Sequence, residues 1–410
     1  MGRMASTSTL LIIGGGLAGA KAAEGARESG FDGRIVLVAE ESRDPYERPP
    51  LSKEVLRGDK EPDTARVHES GYYGQHSIEL VSGDPVVALD AGGKQATLRS
   101  GSNITFDAAV LATGAAPRPL NLPGAELSGV HYLRTVEDSL ALQEAIKKAS
   151  RVAVIGAGWI GSEVAASARQ MGAEVVLIEP LPVPLHRVLG SEVGAVFSQL
   201  HGDHGVTLRL GVGVASLQGG SAVEQVVLDD GRTEEADLVV AGIGVTPRVD
   251  LAQAAGLEID NGVVVNELLQ TSAPGIFAAG DIANAWHPHY KQRIRTEHWA
   301  NALNQGSAAG ANAVGTPAPY TRLPYFFSDQ YDLGLEYVGY ASADDSVAIR
   351  GDLGKREFIA FYHRDGVVTA GMNVNVWDVV EDIRAIITAG QPVDTAKLAD
   401  PNVPLRELAP

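Results

Sequence analysis

The chain contains no cysteine at all. That absence removes disulfide frameworks, thiolate-ligated metal sites and protein-bound iron–sulfur clusters in one step. Long apolar runs are missing too, and no stretch approaches the ~18–20 residues that span a bilayer. The apolar run at residues 10–13, behind Arg3, is too short for a secretory signal and is needed as a strand. Positive charge is scarce, with 33 Lys and Arg against 51 Asp and Glu, for a net charge of −18. A balance of that sign argues against nucleic acid or an anionic membrane as the main partner. Metal-ligand clusters are thin: residues 201–205 (HGDHG) offer only Asp203 beside two histidines, and read as a helix-to-strand loop. Asn103-Ile104-Thr105 matches the glycosylation pattern and is read as coincidence in a chain with no secretion signal. What remains is 410 residues, 45% hydrophobic and 20% charged, enough for two to four globular domains with ordinary cores.

What is present is glycine at informative positions. Residues 9–24 read TLLIIGGGLAGAKAAE, a short apolar run, then Gly14, Gly16 and Gly19, then good helix formers. That order is strand, tight turn, helix. The first glycine allows the turn, the second lets backbone approach a pyrophosphate, and the third lets helix pack on strand. The helix start adds free N–H groups and a partial positive charge. Residues 34–39 (RIVLVA) read as the second strand, with Glu40 as the terminal acid that accepts from a ribose hydroxyl. The unit then recurs. Residues 151–155 (RVAVI) are a strand, Gly156, Gly158 and Gly161 repeat the fingerprint, and residues 175–178 (VVLI) end at Glu179. Each copy is followed by an apolar strand ending in glycine, AAVLATGAAPRP at residues 108–119 and DLVVAGIGVTPR at residues 237–248. Two dinucleotide-binding domains on one chain suggest a redox pair, flavin plus nicotinamide. With no cysteine, flavoenzymes working through a redox disulfide or a cysteine sulfenate are excluded.

Between these motifs the chain is readable in outline. Residues 41–65 form a polar connection in which Pro49-Pro50 stiffens the backbone and residues 51–56 look like a helix start, with Ser52 near its cap. Lys53 there is either part of a cofactor clamp or a solvated lysine. Residues 77–110 read as a β-meander, and Pro117, Pro119 and Pro123 mark a domain boundary. Residues 136–149 read as a helix, and residues 206–240 as a second meander with a hairpin near Asp229-Asp230-Gly231. Residues 276–279 are a buried strand ending at Gly280-Asp281, where the acid either reaches a ribityl or phosphate group or caps a helix. Residues 299–314 (WANALNQGSAAGANAV) form a small-residue helix. From about residue 323 the pattern turns to antiparallel strands at 333–340, 346–350, 357–363 and 367–374, with a turn at Asp365-Gly366. One amphipathic helix follows at 376–389, with Gly390 after its end. The fold class is α/β, with two Rossmann-like dinucleotide-binding domains and a C-terminal α+β domain.

GGGLAG and GAGWIG, with RPPLSK, TSAPGIFAAGD and FFSDQYDLGL (residues 326–335), resemble the putidaredoxin reductase type of NADH-dependent ferredoxin reductase over nearly the whole chain. Apoptosis-inducing factor shares this glutathione-reductase-like architecture. The resemblance implies an FAD domain at residues 1–116 and 247–322, an NAD domain at 117–246 and a C-terminal domain at 323–410. It implies FAD contacts from Gly14, Gly16, Leu17, Ala18, Gly19, Glu40, Arg48, Pro49, Lys53, Val86, Ala112, Thr113, Gly114 and Arg134. Gly280, Asp281, Glu297, His298, Trp299, Ala302 and Phe327 complete that set. NAD contacts would come from Gly156, Gly158, Trp159, Ile160, Gly161, Glu163, Glu179, Arg187, Gly242, Ile243 and Gly244. Glu163 would hold the nicotinamide amide and pair with Lys53. Trp159 is either a packing aromatic or a ring over the flavin that moves when nicotinamide enters. Phe327 stands where the family often has tryptophan, so an aromatic electron route there is not carried over.

The implied activity is that of a flavoprotein oxidoreductase. NADH delivers hydride to FAD, and electrons pass singly to a [2Fe-2S] ferredoxin that feeds an oxygenase. Lys53, Glu163 and Trp159 are the catalytic-site candidates, acting as positioners. No metal, nucleic acid or membrane is expected, and the protein is expected to be cytoplasmic and a monomer or weak homodimer. Glu179 should favour NADH over NADPH. An acidic ferredoxin is expected to dock on Lys291, Arg293 and Arg295 (KQRIR), or more weakly on Arg350, Lys355 and Arg356. The rival from another class is an NADH-responsive interaction protein like apoptosis-inducing factor; an NADH oxidase or peroxidase is disfavoured by the missing cysteine.

Overall fold

The computed structural model describes residues 4–409. Two compact units emerge: one holds the described residues up to Glu47, Asp63–Ala116 and Thr246–Pro324, and the other holds Arg48–Pro62, Pro117–Val245 and the chain from Tyr325 onward.

The first unit is built on a parallel sheet in which Thr9–Ile13 lies between Arg34–Val38 and Ala108–Leu111, with Ile276–Ala278 and Ile78–Val81 at the edges. Leu10, Leu11 and Ile12 are fully buried, as a central parallel strand covered on both faces requires. The helix Leu17–Glu28 covers one face and packs on the helix Trp299–Ala313. Their approach is set by glycine: a Cβ on Gly306 would fall 2.4 Å from the Ala18 carbonyl, and one on Gly310 would fall 2.0 Å from that of Ala22. The small residues at 299–314 thus form a backbone-to-backbone contact face. A three-stranded antiparallel sheet, Val86–Asp90, Gln95–Leu98 and Asn103–Thr105, forms most of the expected first meander.

The second unit repeats the plan with Arg151–Ile155 between Glu174–Glu179 and Leu238–Ala241. Its own three-stranded sheet is Val214–Gln218, Gln225–Leu228 and Thr233–Glu235. Beyond it, five antiparallel strands run in the spatial order Tyr325–Gln330, Leu333–Gly339, Val367–Val374, Glu357–Arg364, Ser346–Asp352. Phe197 and Leu200 of the helix His186–Asp203 share a core with Phe326, Leu335, Phe358 and Met372.

Several local expectations need correction. Ile78–Val81 and Thr207–Leu210 join the parallel sheets rather than the meanders. His201 lies inside the helix His186–Asp203, fully buried, so the helix-to-strand loop begins only at His204. Among the described residues no group of three or more His, Cys, Asp or Glu could hold a metal. The last amphipathic helix starts at Val380, because Asn375 and Asp378 take left-handed backbone at φ 50° and 62°. Residues 326–330, quoted above only within a motif, lie in the strand Tyr325–Gln330. No helix among the described residues is long and apolar enough to cross a membrane.

Candidate functional site

The first cradle follows Thr9–Ile13. Gly14 has φ +124°, and a Cβ on it would lie 2.2 Å from the Ala112 carbonyl oxygen. A Cβ on Gly19 would lie 1.9 Å from the Gly14 carbonyl oxygen. These two glycines are demanded by the protein's own packing. Gly16 is different: a Cβ there would meet no protein atom within 4 Å. Gly16 also occupies the N-cap position of the helix Leu17–Glu28, where it has no side chain to satisfy the free N–H groups. The turn at residues 112–114 is tied in by Arg248, whose N–H donates to the Gly114 carbonyl at 2.9 Å and whose carbonyl accepts from Thr113 Oγ1 at 2.9 Å. Arg248 Nη1 also reaches Glu40 at 2.6 Å, with Arg99 at 3.5 Å from the same carboxylate.

Beside the first turn of the fingerprint helix, where a Cβ on it would stand 3.0 Å from the Ala18 side chain, Gly280 has φ +79° and opens a short 3-10 turn that carries Asp281. His298 occupies the N-cap position of the helix Trp299–Ala313. Desolvation pushes its imidazole down to about 4, with Asp281 acting in the opposite direction, so His298 is neutral at physiological pH. Ala302 lies beside Gly280, 3.8 Å from where a Cβ would stand. Val86 is half-buried at the start of its strand, and Glu297 is ion-paired with Arg295 at 2.6 Å.

The second cradle repeats the first. Gly156 (φ +95°) and Gly161 are closed in by the carbonyls of Gly242 and Gly156, at 2.5 and 1.9 Å from a hypothetical Cβ. Gly158, like Gly16, faces no protein atom within 4 Å. In both fingerprints, then, the middle glycine is the one that the protein's own packing does not require. That is the arrangement expected where a pyrophosphate from outside the chain approaches the backbone. The residues present therefore fit a dinucleotide at each cradle. Glu179 Oε2 accepts from the Ala157 N–H at 2.7 Å and Oε1 from Leu181 at 3.1 Å, which fixes the carboxylate beside the turn. Ile160 and Ile243 are 45% and 38% exposed and form apolar lips beside Gly158 and Gly244. Arg187 is exposed at the start of the helix His186–Asp203. Trp159 packs edge-on against Phe326 (centroids 4.7 Å) and Phe197 (6.3 Å), which supports its reading as a packing aromatic. Phe327, half-buried, points to the opposite face of its strand from Phe326.

The second unit also holds a buried ion pair. Lys53 Nζ lies 2.8 Å from Glu163 Oε2, with side chains 8% and 5% exposed. Ser52 Oγ donates to the same oxygen at 2.5 Å, and Ser328 Oγ donates to Oε1 at 2.7 Å. Lys53 also donates to the Pro49 carbonyl at 3.2 Å. A buried carboxylate is tolerable only with such a full set of donors. The backbone carrying Lys53 is anchored by hydroxyls and amides from two helices: Ser139 to Leu51 O at 2.8 Å, Gln143 to Val55 O at 2.9 Å, and Ser167 to Ser52 O at 2.6 Å. Arg48 adds a hydrogen bond to the Arg134 carbonyl. Asp329, on the strand of Ser328, has its carboxyl pushed up by desolvation, with Lys53 opposing and Glu163 adding to the shift.

The structure separates the site residues by unit. The first fingerprint, Glu40, Val86, Ala112 to Gly114 and Gly280 to Ala302 belong to one; Arg48, Pro49, Lys53, Arg134, the second fingerprint, Glu179, Arg187, Gly242 to Gly244 and Phe327 belong to the other. Ser52 is not a helix cap. It ends the 3-10 turn Pro49–Ser52, and Lys53 occupies the cap position of Glu54–Arg57. The partners of Glu163 at Ser52 and Ser328 are missed by sequence reasoning, although RPPLSK and FFSDQY contain both serines. The expected basic docking patch is partly engaged within the fold, while Lys291, Arg293 and Lys355 stay exposed. Arg295, with its side chain 10% exposed, pairs with Glu297 and holds the Asp281 carbonyl; Arg293 donates to the Val265 carbonyl. Arg350 is spent on the carbonyls of Asp400, Pro401 and Val403, and Arg356 pairs with Asp203.

Residues 8–306 match the family described as pyridine nucleotide-disulphide oxidoreductase, and residues 325–409 match the reductase C-terminal domain. The chain is 40% identical over 405 residues to the 5,5'-dehydrodivanillate O-demethylase ferredoxin reductase subunit of Sphingobium sp., covering 97% of each chain. It is 36% identical over 411 residues to putidaredoxin reductase of Pseudomonas putida, covering 99% of this chain and 97% of the relative. Among solved structures, the ferredoxin reductase for the CYP199A2 system from Rhodopseudomonas palustris is similar with a TM-score of 0.95 at 37% identity, covering 98% of this chain and 100% of that one. The covalent putidaredoxin reductase–putidaredoxin complex gives a TM-score of 0.94 at 36% identity, covering 98% of each chain. The chain, itself without cysteine, belongs to the pyridine nucleotide-disulphide oxidoreductase family, as a ferredoxin reductase-type member that carries the reductase C-terminal domain.

Proposed function

We propose that the protein is an FAD-containing NADH:ferredoxin oxidoreductase. The observation that carries this reading is the doubled cradle, each copy with a middle glycine open to a ligand and a terminal acid at hand. Relatives named ferredoxin–NAD(+) reductase components of dioxygenase systems support the same activity, and a relative captured with putidaredoxin supports a ferredoxin as the acceptor. FAD is assigned to the first cradle, with Gly14 to Gly19, Glu40 and Asp281 as its holders. NADH is assigned to the second, with Gly156 to Gly161 and Glu179. Bound FAD supplies the conversion of a two-electron hydride donor into single electrons. The protein supplies position. Glu163, held by Lys53, Ser52 and Ser328, orients the nicotinamide amide, and the apolar lips Ile160 and Ile243 shield the nucleotide from water. Glu179 accepts from the ribose 2′-hydroxyl. A 2′-phosphate would meet like charge, at a cost of up to about 4 kcal/mol at ~4 Å and an effective dielectric of ~20. The finer reading is a [2Fe-2S] ferredoxin feeding an oxygenase, a cytoplasmic location, and a monomer or weak homodimer.

Steady-state oxidation of NADH and NADPH, with ferricyanide and with a [2Fe-2S] ferredoxin as acceptors, tests the proposal. The expected result is turnover with both acceptors, a kcat/KM at least tenfold higher for NADH, and free FAD in the supernatant after acid precipitation. An FAD-loaded protein that reduces neither acceptor would overturn it.

A further inference from the structure

Gly280 carries an obligation that its own turn does not meet. It begins the 3-10 turn Gly280–Ile282, so its N–H has no partner within that turn. The residue is buried, and a Cβ on it would sit 3.0 Å from the Ala18 side chain, in the first turn of the fingerprint helix. A buried N–H left unpaired there would cost the unit dearly, and the turn would relax to recover a bond. The partner comes from the middle of the helix Trp299–Ala313: Gln305 Oε1 accepts from the Gly280 N–H at 3.1 Å. Gln305 is 3% exposed, too deep to be a surface residue that happens to reach. Its amide is itself oriented. Asn301 Nδ2 donates to the same oxygen at 3.4 Å and to the Thr296 carbonyl at 3.0 Å, so the oxygen is turned toward Gly280. Asn301 and Thr296 are 5% and 7% exposed. The cavity beside the network measures about 10 Å³, room for no more than one water, so this group of buried amides supports something other than a ligand of its own.

We propose that Gln305, oriented by Asn301, is a positioning residue for the flavin cofactor: it fixes the Gly280–Asp281 turn against the first cradle so that this turn presents its backbone and carboxylate to FAD. The inference rests on the assignment of FAD to that cradle. Leucine at 305 keeps the volume and removes the acceptor. Glutamate keeps an acceptor oxygen in place, and Asn301→Ala frees the amide to turn.

The test is the dissociation constant of FAD from apoprotein, read by quenching of flavin fluorescence, together with NAD+ affinity and the thermal midpoint of the apoprotein. Gln305→Leu is expected to weaken FAD binding about 10- to 100-fold. Gln305→Glu should restore it to within a few-fold of wild type, and Asn301→Ala should weaken it about 3- to 10-fold. NAD+ affinity at the second cradle should not move. If Gln305→Leu fails to fold, Asn301→Ala carries the test. FAD affinity within twofold of wild type in the folded variants, or a Glu variant as weak as the Leu variant, would overturn the inference. Wild-type apoprotein that does not bind FAD would instead overturn the functional assignment on which it rests.

Discussion

At the residue scale, the two middle glycines separate what folding needs from what binding needs. Gly16 and Gly158 have ordinary φ values of −86° and −75°, and a methyl group on either would touch no protein atom. Gly16→Ala and Gly158→Ala should therefore leave apoprotein stability within about 0.5 kcal/mol of wild type, since the unfolded chain loses some freedom and the folded chain gains no clash. Each should nevertheless weaken its own dinucleotide at least tenfold, FAD for the first and NADH for the second. Thermal unfolding beside two titrations checks this, and unchanged binding would show that no ligand approaches those backbones. The Lys53–Glu163 pair makes a second prediction. Glu163→Ala leaves a buried ammonium facing two hydroxyls, and stability should fall by about 3–5 kcal/mol. The double variant Lys53→Met/Glu163→Leu should recover more than half of that loss in chemical denaturation. Additive losses would mean that the pair is worth nothing as a pair.

Among the elements, the small-residue helix Trp299–Ala313 shows where pattern reading stops. Its glycines and alanines are visible in the sequence, but their purpose depends on which helix they face. Gly310→Ala would push a methyl group into the Ala22 carbonyl, and Gly25→Ala would do the same against Ser307. Overpacking of this kind costs about 1–3 kcal/mol. Gly310→Ala should therefore melt earlier and release FAD at lower temperature. Gly202, inside the helix His186–Asp203, has nothing within 4 Å of its missing Cβ. Gly202→Ala should instead stabilise by about 0.5–1 kcal/mol. If both substitutions behaved alike in calorimetry, close helix approach would not be the reason for glycine at 310.

On the scale of the whole molecule, acid stability follows from buried neutral histidines. Burial lowers His201 to about 4, opposed by its hydrogen bond to Gln330, and His298 is lowered in the same direction. Both folded values lie below the ordinary value near 6.5, so the unfolded chain binds more protons between those limits. The stability tied to the neutral forms is complete above about pH 6.5 and is lost as pH falls toward 4. At 1.36 kcal/mol per pKa unit, His201 alone accounts for on the order of 3 kcal/mol across that window. His201→Gln, which has no charge to acquire, should flatten the pH dependence of urea unfolding between pH 6.5 and 4. An unchanged slope would exclude His201 as a source of it.

What the sequence determined by itself is everything that local pattern encodes. The two fingerprints, their strands, Glu40 and Glu179 are legible because glycine geometry and apolar runs act over a few residues. The stiff clamp at Pro49-Pro50 is legible for the same reason. Tertiary structure decided which polar groups meet. The donors to Glu163 lie 111 and 165 residues away along the chain, and no periodicity brings Ser52 and Ser328 to one carboxylate. The same holds for Arg293, Arg295 and Arg350, which read as surface charge in KQRIR and the C-terminal strands. Packing spends Arg295 and Arg350 on the Asp281 and Asp400 carbonyls, and Arg293, itself exposed, reaches the Val265 carbonyl, because backbone acceptors need donors wherever the chain does not supply its own.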